Sequence, residues 1–222
     1  MAAGFLEHSA GFDAMMNSKG LLRTIPDTNV NFSVTLRTAD GKGSGYATKG
    51  YTDVGKLDVA AATRVAAQKA AASVAAKALE PGKYTVILEP AAGVVLVEYI
   101  GQGMDARSTD EGRSFLSKPG GASKLGEKLM DERVTIYSDP ANPELPTVVW
   151  NGDGRPQEKI NWIEKGVIKN LSYSRYWAGK KKVKAVPGPD AFIMEGGNQT
   201  LEQLIATTEK GILVTRLWYI RM

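Results

Sequence analysis

Cysteine is absent from this chain of 222 residues, and histidine occurs once, at His8. Without cysteine, neither a disulfide nor a thiolate–metal site can form within the chain. With one imidazole, a zinc site built from two or three histidines is excluded as well. A serine or cysteine triad would have to take its base from His8, which reads as a surface residue. No run of about 18 apolar residues is present, so no membrane span is expected. The opening residues, MAAGFLEHSAG, lack the basic segment and long apolar core of a signal peptide. The expectation is a soluble, cytoplasmic protein. Charge of one sign is also scarce. The 28 basic and 24 acidic residues leave a net +4, too mild an excess to indicate nucleic acid.

What is present is ordinary for a globular protein: 43% hydrophobic and 23% charged residues, enough for one large domain or two small ones. Phe5 to Ser18 mixes small and apolar residues and ends in a turn-like Asn17-Ser18-Lys19-Gly20. Between Leu21 and Arg37, Val30, Phe32, Val34 and Leu36 alternate with polar residues, the pattern of a strand with one buried face. The glycine-rich Ala39 to Gly45 lacks the Gly-Lys-Ser/Thr of a phosphate loop, so a hairpin or bulge is expected. Leu57 to Leu79 is the clearest helix, with eleven alanines in 23 positions. Val59, Ala62, Ala66, Ala70 and Val74 form a narrow stripe that lets it lie close to a sheet. Glu80-Pro81-Gly82 is expected to stop it.

Further on, Val134 to Tyr137 reads as a short strand, and Lys159 to Leu171 as a hairpin turning on Glu164-Lys165-Gly166. Tyr173 to Lys182 resembles a short helix. It ends in Lys180, Lys181, Lys182 and Lys184, a solvated face on which nucleic-acid contact is not expected. Thr200 to Lys210 predicts a helix with Thr200 as N-cap, Glu202 near its positive end and Gly211 as terminator. Ile212 to Met222 is strongly apolar and reads as a strand. An uncapped apolar edge is expected to be covered by a partner, or else the chain is a portion of a longer one. Strands and helices without a regular βαβ alternation give an α+β fold with a mostly antiparallel sheet.

The stretch that bears on function is Tyr84 to Arg113. Thr85 to Leu88 predicts a short buried strand, and Pro90 fits the first turn of a helix. Ala91 to Met104 is then apolar except for one central carboxylate, Glu98. A lone acid on such a helix either marks a site or reaches solvent or an arginine.

In order along the chain, these segments resemble the TldD/PmbA family, zinc-metalloprotease-related proteins also described as modulators of DNA gyrase. Tyr84 to Asp105 looks like the family's strand–proline–helix, in which active members carry His-Glu-x-x-x-His. Asn151-Gly152-Asp153-Gly154-Arg155-Pro156 and Trp162-Ile163-Glu164-Lys165-Gly166-Val167 resemble its Asp/Glu-Gly-x-Pro segment and Ile-Glu-Asn-Gly hairpin. Ser174-Arg175-Tyr176 with Ala178 and Lys180 looks like Asp-Arg-Tyr-x-Ala-x-Lys, and Leu201 to Val214 like the late helix and Gly-x-x-Val-Thr strand.

The resemblance implies that residues 1–83 end an N-terminal α/β region. Residues 84–222 would belong to an incomplete β-rich, barrel-like C-terminal domain with two or three shorter helices, the long alanine-rich helix of residues 57–79 lying in the first region. Val97 and Gln102 fall at the family's two histidine ligands, and Glu98 at its catalytic glutamate. Valine has no lone pair for a metal and an amide oxygen is a poor zinc ligand.

The similarity is therefore to the PmbA (TldE-like) branch, which lacks the zinc motif. It implies a non-catalytic subunit with no cofactor of its own, paired with a TldD-like zinc-bearing subunit that acts on peptides. Glu98, Asp105, Arg107, Asp110, Glu111 and Arg113 are the candidates for lining a peptide cavity. Their alternative is surface pairing of Arg107 and Arg113 with Asp110 and Glu111. Three rival readings stay open: an active metallopeptidase with a carboxylate metal site at Glu98, Asp105 and Asp110; a DNA gyrase-linked regulator; and a homodimer formed through Ile212 to Met222.

Overall fold

Alternation at Val30, Phe32, Val34 and Leu36 does produce a strand, but its partner is one that the sequence does not announce. In the computed structural model, which describes residues 1–218 and 220, β1 (Ala2–Met16) pairs antiparallel with β2 (Leu22–Arg37) from Ala2↔Leu36 to Met16↔Leu22. β3 (Ser44–Tyr51) flanks the other side of β2, giving the order β1-β2-β3. The residues of β1 mix small and apolar types without a clear alternation, so their extended state comes from pairing with β2 rather than from local preference.

The chain divides into two compact units, Met1–Ala91 with Thr208–Met222, and Ala92–Thr207. In the first, helix α1 (Val59–Ala72) packs on β2 and β3. Ala62, Ala66 and Ala70 are its buried positions, and Ala62 and Ala66 join Phe32, Val34 and Ala47 in the core of this unit. Glycine makes the approach possible. A Cβ at Gly45 would lie 2.0 Å from the Ala66 carbonyl oxygen, and one at Gly43 would lie 2.2 Å from that of Ala70. The glycine-rich turn thus lets a helix backbone rest on a strand.

α1 begins where expected, at Asp58, whose carboxylate accepts from Ala61 N. It stops at Ala72, seven residues short of the expected end. The Ser73 hydroxyl accepts from Ser44 N and lies in bonding reach of the Ser44 and Ala70 carbonyls, so tertiary contact ends the helix before the proline can. Val59 and Val74, assigned to the buried stripe by spacing, are exposed. A two-stranded sheet completes the unit: β4 (Thr85–Leu88) runs parallel to β9 (Gly211–Val214). β9 is shorter than the strand expected over Ile212 to Met222, and Tyr219, Arg221 and Met222 lie outside the described residues.

In the second unit lie residues 92–102 of helix α2 (Pro90–Gln102), then α3 (Ala106–Asp110), β5 (Ile136–Ser138), β6 (Ile160–Glu164), β7 (Val167–Ile168), α4 (Arg175–Lys181), β8 (Ile193–Met194) and α5 (Leu201–Ala206). Pro90 occupies the first position of α2, as expected. The strands form an antiparallel sheet in the order β7-β6-β5-β8. The β6–β7 turn is Lys165-Gly166, with φ of 48° and 77°, the two left-handed residues of a type I′ hairpin. Trp162, Met104, Leu116, Ile136, Ile163, Ile168 and Leu171 build the core, and the Trp162 indole N–H donates to the buried Ser138 hydroxyl at 2.9 Å. α5 has the expected Thr200 cap, closed reciprocally by Gln203, but ends at Ala206 rather than reaching Lys210. The fold is α+β with mainly antiparallel pairing. In place of the expected barrel-like part there are open sheets: the four-stranded sheet ends at β7 and β8, and among the described residues no closed barrel forms.

Candidate functional site

Helix α2 turns one side to the core of the second unit and the other to water. Val97 is 9% exposed and belongs to the cluster around Met104, Leu116 and Trp162. Glu98, the next residue, is rotated about 100° around the axis and is exposed, as is Gln102 one turn on. Glu98 therefore stands in water beside a buried apolar neighbour.

The other candidates gather on and around α3. Asp105 is its N-cap, accepting from Ser108 N at 2.7 Å, and this fixes its carboxylate on the backbone. Asp110 is largely buried and accepts from the Trp177 indole N–H at 2.7 Å, with Lys181 Nζ at 3.1 Å from the same oxygen. Trp177 in turn lies under three cations, Arg107, Lys180 and Lys181, each 5.5–5.6 Å from its ring. Glu111 is gripped from both sides, by Arg107 Nε at 2.8 Å and by Arg113 Nη2 at 2.5 Å. The hydrogen bond from Arg107, then that from Arg113, hold the Glu111 carboxyl below its ordinary pKa, and the bond to Glu111 raises that of Arg107. Both arginines are more than half exposed. The structure thus joins Asp105, Arg107, Asp110, Glu111 and Arg113 in a charged surface patch on α3 and α4. Tyr176, 62% exposed, extends it, with Lys180 5.2 Å from its ring.

Sequence reasoning missed Trp177 as the centre of that patch, because its bond to Asp110 spans 67 residues. It also missed a cleft of about 710 Å³ in the same unit, lined by Arg155, Lys159, Asn161, Asn170, Lys184 and Val186 among others. Arg155 Nη2 donates to Asp153 at 2.9 Å, while Nε and Nη1 are buried without an acceptor. A buried donor left unpaired costs about 1–3 kcal/mol, and a charged one more. The only trace of this in the sequence is an arginine between glycine and proline.

A family profile described as the PmbA/TldA metallopeptidase C-terminal domain matches residues 81–222, more than half of the chain. The chain belongs to the PmbA/TldD family. Two curated relatives carry the name metalloprotease. One, from Archaeoglobus fulgidus, is 34% identical over 114 residues, covering 50% of this chain and 25% of the relative. The other, from Methanothermobacter thermautotrophicus, is 27% identical over 174 residues, covering 75% and 37%.

Among solved structures, a putative modulator of DNA gyrase from Bacteroides thetaiotaomicron has a TM-score of 0.81 at 23% identity, covering 96% of this chain and 49% of that one. TldE from Thermococcus kodakarensis has a TM-score of 0.80 at 23% identity, covering 98% and 52%. These two likenesses show the fold. The chain spans well under half the length of the curated relatives and about half that of the solved structures.

The zinc that the PmbA/TldD family implies does not fit the residues present. The positions that the resemblance assigns to its two histidine ligands carry Val97, a hydrocarbon side chain packed in the core, and the amide Gln102. Among the described residues no group of three or more histidine, aspartate or glutamate side chains could hold a metal ion. No helix there is long and apolar enough to cross a membrane.

Proposed function

We propose that this chain is a subunit or domain of the PmbA/TldD type that takes part in peptide processing without catalysing the cleavage itself. The supporting observation is the burial of Val97. In a zinc hydrolase the ion activates water and the glutamate takes its proton. On the resemblance Glu98 takes the position of that base, and the adjoining residue, where a ligand would be expected, is Val97, an apolar side chain buried in the core. The role proposed for the chain is assembly with a TldD-like zinc-bearing homologous subunit in the cytoplasm, contributing a surface and part of a peptide-holding cavity. The charged and aromatic patch around Trp177 suits such a surface, since tryptophan, tyrosine and arginine carry much of the binding energy at protein interfaces.

The test is purification of the full-length protein from its native cell, with metal analysis and a peptide-cleavage assay run with and without chelator. The expected result is co-purification with a homologue that carries His-Glu-x-x-x-His, with zinc and chelator-sensitive cleavage belonging to that partner. Stoichiometric metal in the separated chain, together with chelator-sensitive cleavage by it, would overturn the proposal.

A further inference from the structure

We infer that the free edge of β1 pairs with the same edge of a second copy of this chain, joining two three-stranded sheets into one. The inference stands apart from the non-catalytic role proposed above, which metal and cleavage assays test. Among the described residues β1 is bonded to β2 alone, so its other side is open. Such an edge offers unpaired N–H and C=O groups to any other strand, and proteins usually blunt it with short length, lysine, proline or a bulge. β1 has none of these. It runs 15 residues from Ala2 to Met16 without lysine or proline, and its register with β2 is unbroken. The opposite edge, β3, is 8 residues long and carries Lys49.

Backbone bonds at the two ends of β1 show which residues face outward. Met1 N donates to the Arg37 carbonyl and Arg37 N to that of Met1, both at 2.9 Å. Just past the other end of the strand, Asn17 N donates to the Leu21 carbonyl at 3.1 Å. In an antiparallel ladder, residues bonded to the neighbour alternate with residues whose N–H and C=O point the other way. The odd-numbered residues therefore bond to β2, and the even-numbered ones from Ala2 to Met16 direct both groups to the open edge. Every one of these even-numbered residues is exposed.

That parity selects the pairing of two copies. Even residues must lie opposite even residues, about a two-fold axis normal to the sheet. With Ser9 on the axis, Ala2 of one copy lies opposite Met16 of the other, and every outward N–H and C=O of the strand acquires a partner. Leu6 then lies opposite Phe12 of the second copy, on both sides of the axis. These side chains are 58% and 73% exposed in the single chain, and cross-strand apolar pairs stabilise a sheet. No like charges stand directly opposed, since Glu7 meets Gly11 and Asp13 meets Phe5. Moving the axis to Ala10 sets Glu7 against Asp13, which is unfavourable. Moving it to His8 sets two imidazoles together and leaves Met16 unpaired. The strand is thus complementary to itself in one register. A two-fold contact also closes, which removes this edge from further growth.

Sedimentation of the whole chain at about 100 μM should give a dimer. Ala10→Pro removes one outward N–H and none that bonds to β2, so the chain should fold and its dimer should weaken about tenfold or more. Phe12→Lys should weaken it likewise, and Lys42→Gln, on an exposed turn, should change nothing. The chain has no cysteine, so single introduced thiols report the register. Ser9→Cys places two thiols on the axis at a non-hydrogen-bonded pair, close enough for a disulfide. Under mild oxidation it should cross-link about tenfold or more faster than Asp13→Cys, which lies opposite Phe5. If Ala10→Pro or Phe12→Lys fails to fold, the mass and the two thiol variants still decide. A monomer, an assembly larger than a dimer, a dimer unweakened in folded Ala10→Pro or Phe12→Lys, or Asp13→Cys cross-linking as fast as Ser9→Cys would each overturn the inference. A dimer that survives Ala10→Pro would be one formed through side chains alone or through Ile212 to Met222.

Discussion

A valine and a histidine are similar in size but make opposite demands on a core. At position 97 the side chain belongs to a buried cluster with Met104, Leu116 and Trp162, none of which offers a strong acceptor to an imidazole N–H. Val97→His should therefore lower stability by about 2–4 kcal/mol, measured by urea unfolding, and should not by itself bring stoichiometric zinc. Glu111 presents the reverse situation, a carboxylate whose charged form is held by two arginines. Its folded pKa is depressed, so its contribution is complete above the unfolded value near 4.5 and is lost as pH falls through the lower folded value. Carboxyl-detected NMR should place its midpoint below 4.5, and Arg107→Ala should move that midpoint upward. Of these residue roles, the carboxylates near α3 could be picked out from sequence as polar groups following an apolar helix. Which of them caps, which pairs and which takes the Trp177 N–H could not, because those partners are set by chain contacts as distant as 67 residues.

Elements were legible where local chemistry decides them. Lys165-Gly166 needs nothing beyond its own two backbone conformations to turn a hairpin, and Thr200 caps α5 through Gln203, three residues on. β1 was missed because Ala2 to Met16 acquires its strand state only by lying against β2. The end of α1 was misplaced for a similar reason, as Ser73 bonds to Ser44, 29 residues away. The same helix offers a test of element packing. Gly45→Ala would drive a methyl group into the Ala66 carbonyl oxygen, and α1 could accommodate it only by moving off β3. The expected loss is about 2–4 kcal/mol by urea unfolding, although alanine has the better intrinsic helix and strand preferences. A control, Gly11→Ala, whose added Cβ would meet nothing within 4 Å, should cost little.

For the whole molecule, the question is whether a bound ion contributes to folding. A metal that binds only the native state raises its melting temperature. Since the described residues offer no cluster able to hold one, adding chelator should leave the thermal midpoint of the purified chain unchanged, as read by calorimetry. A downward shift would point to an ion site formed with residues other than those named. The contact between α1 and β3 has a bearing on how such a sequence can drift. In a saturation library, hydrophobic exchanges in the Trp162 core have compensating exchanges available among several large neighbours. Gly43 and Gly45 have far fewer, because the nearest atoms a side chain there would meet are the Ala70 and Ala66 carbonyl oxygens of the helix backbone. The least replaceable positions of the first unit should then be among its smallest side chains, and the variants tolerated there should be counted in single atoms.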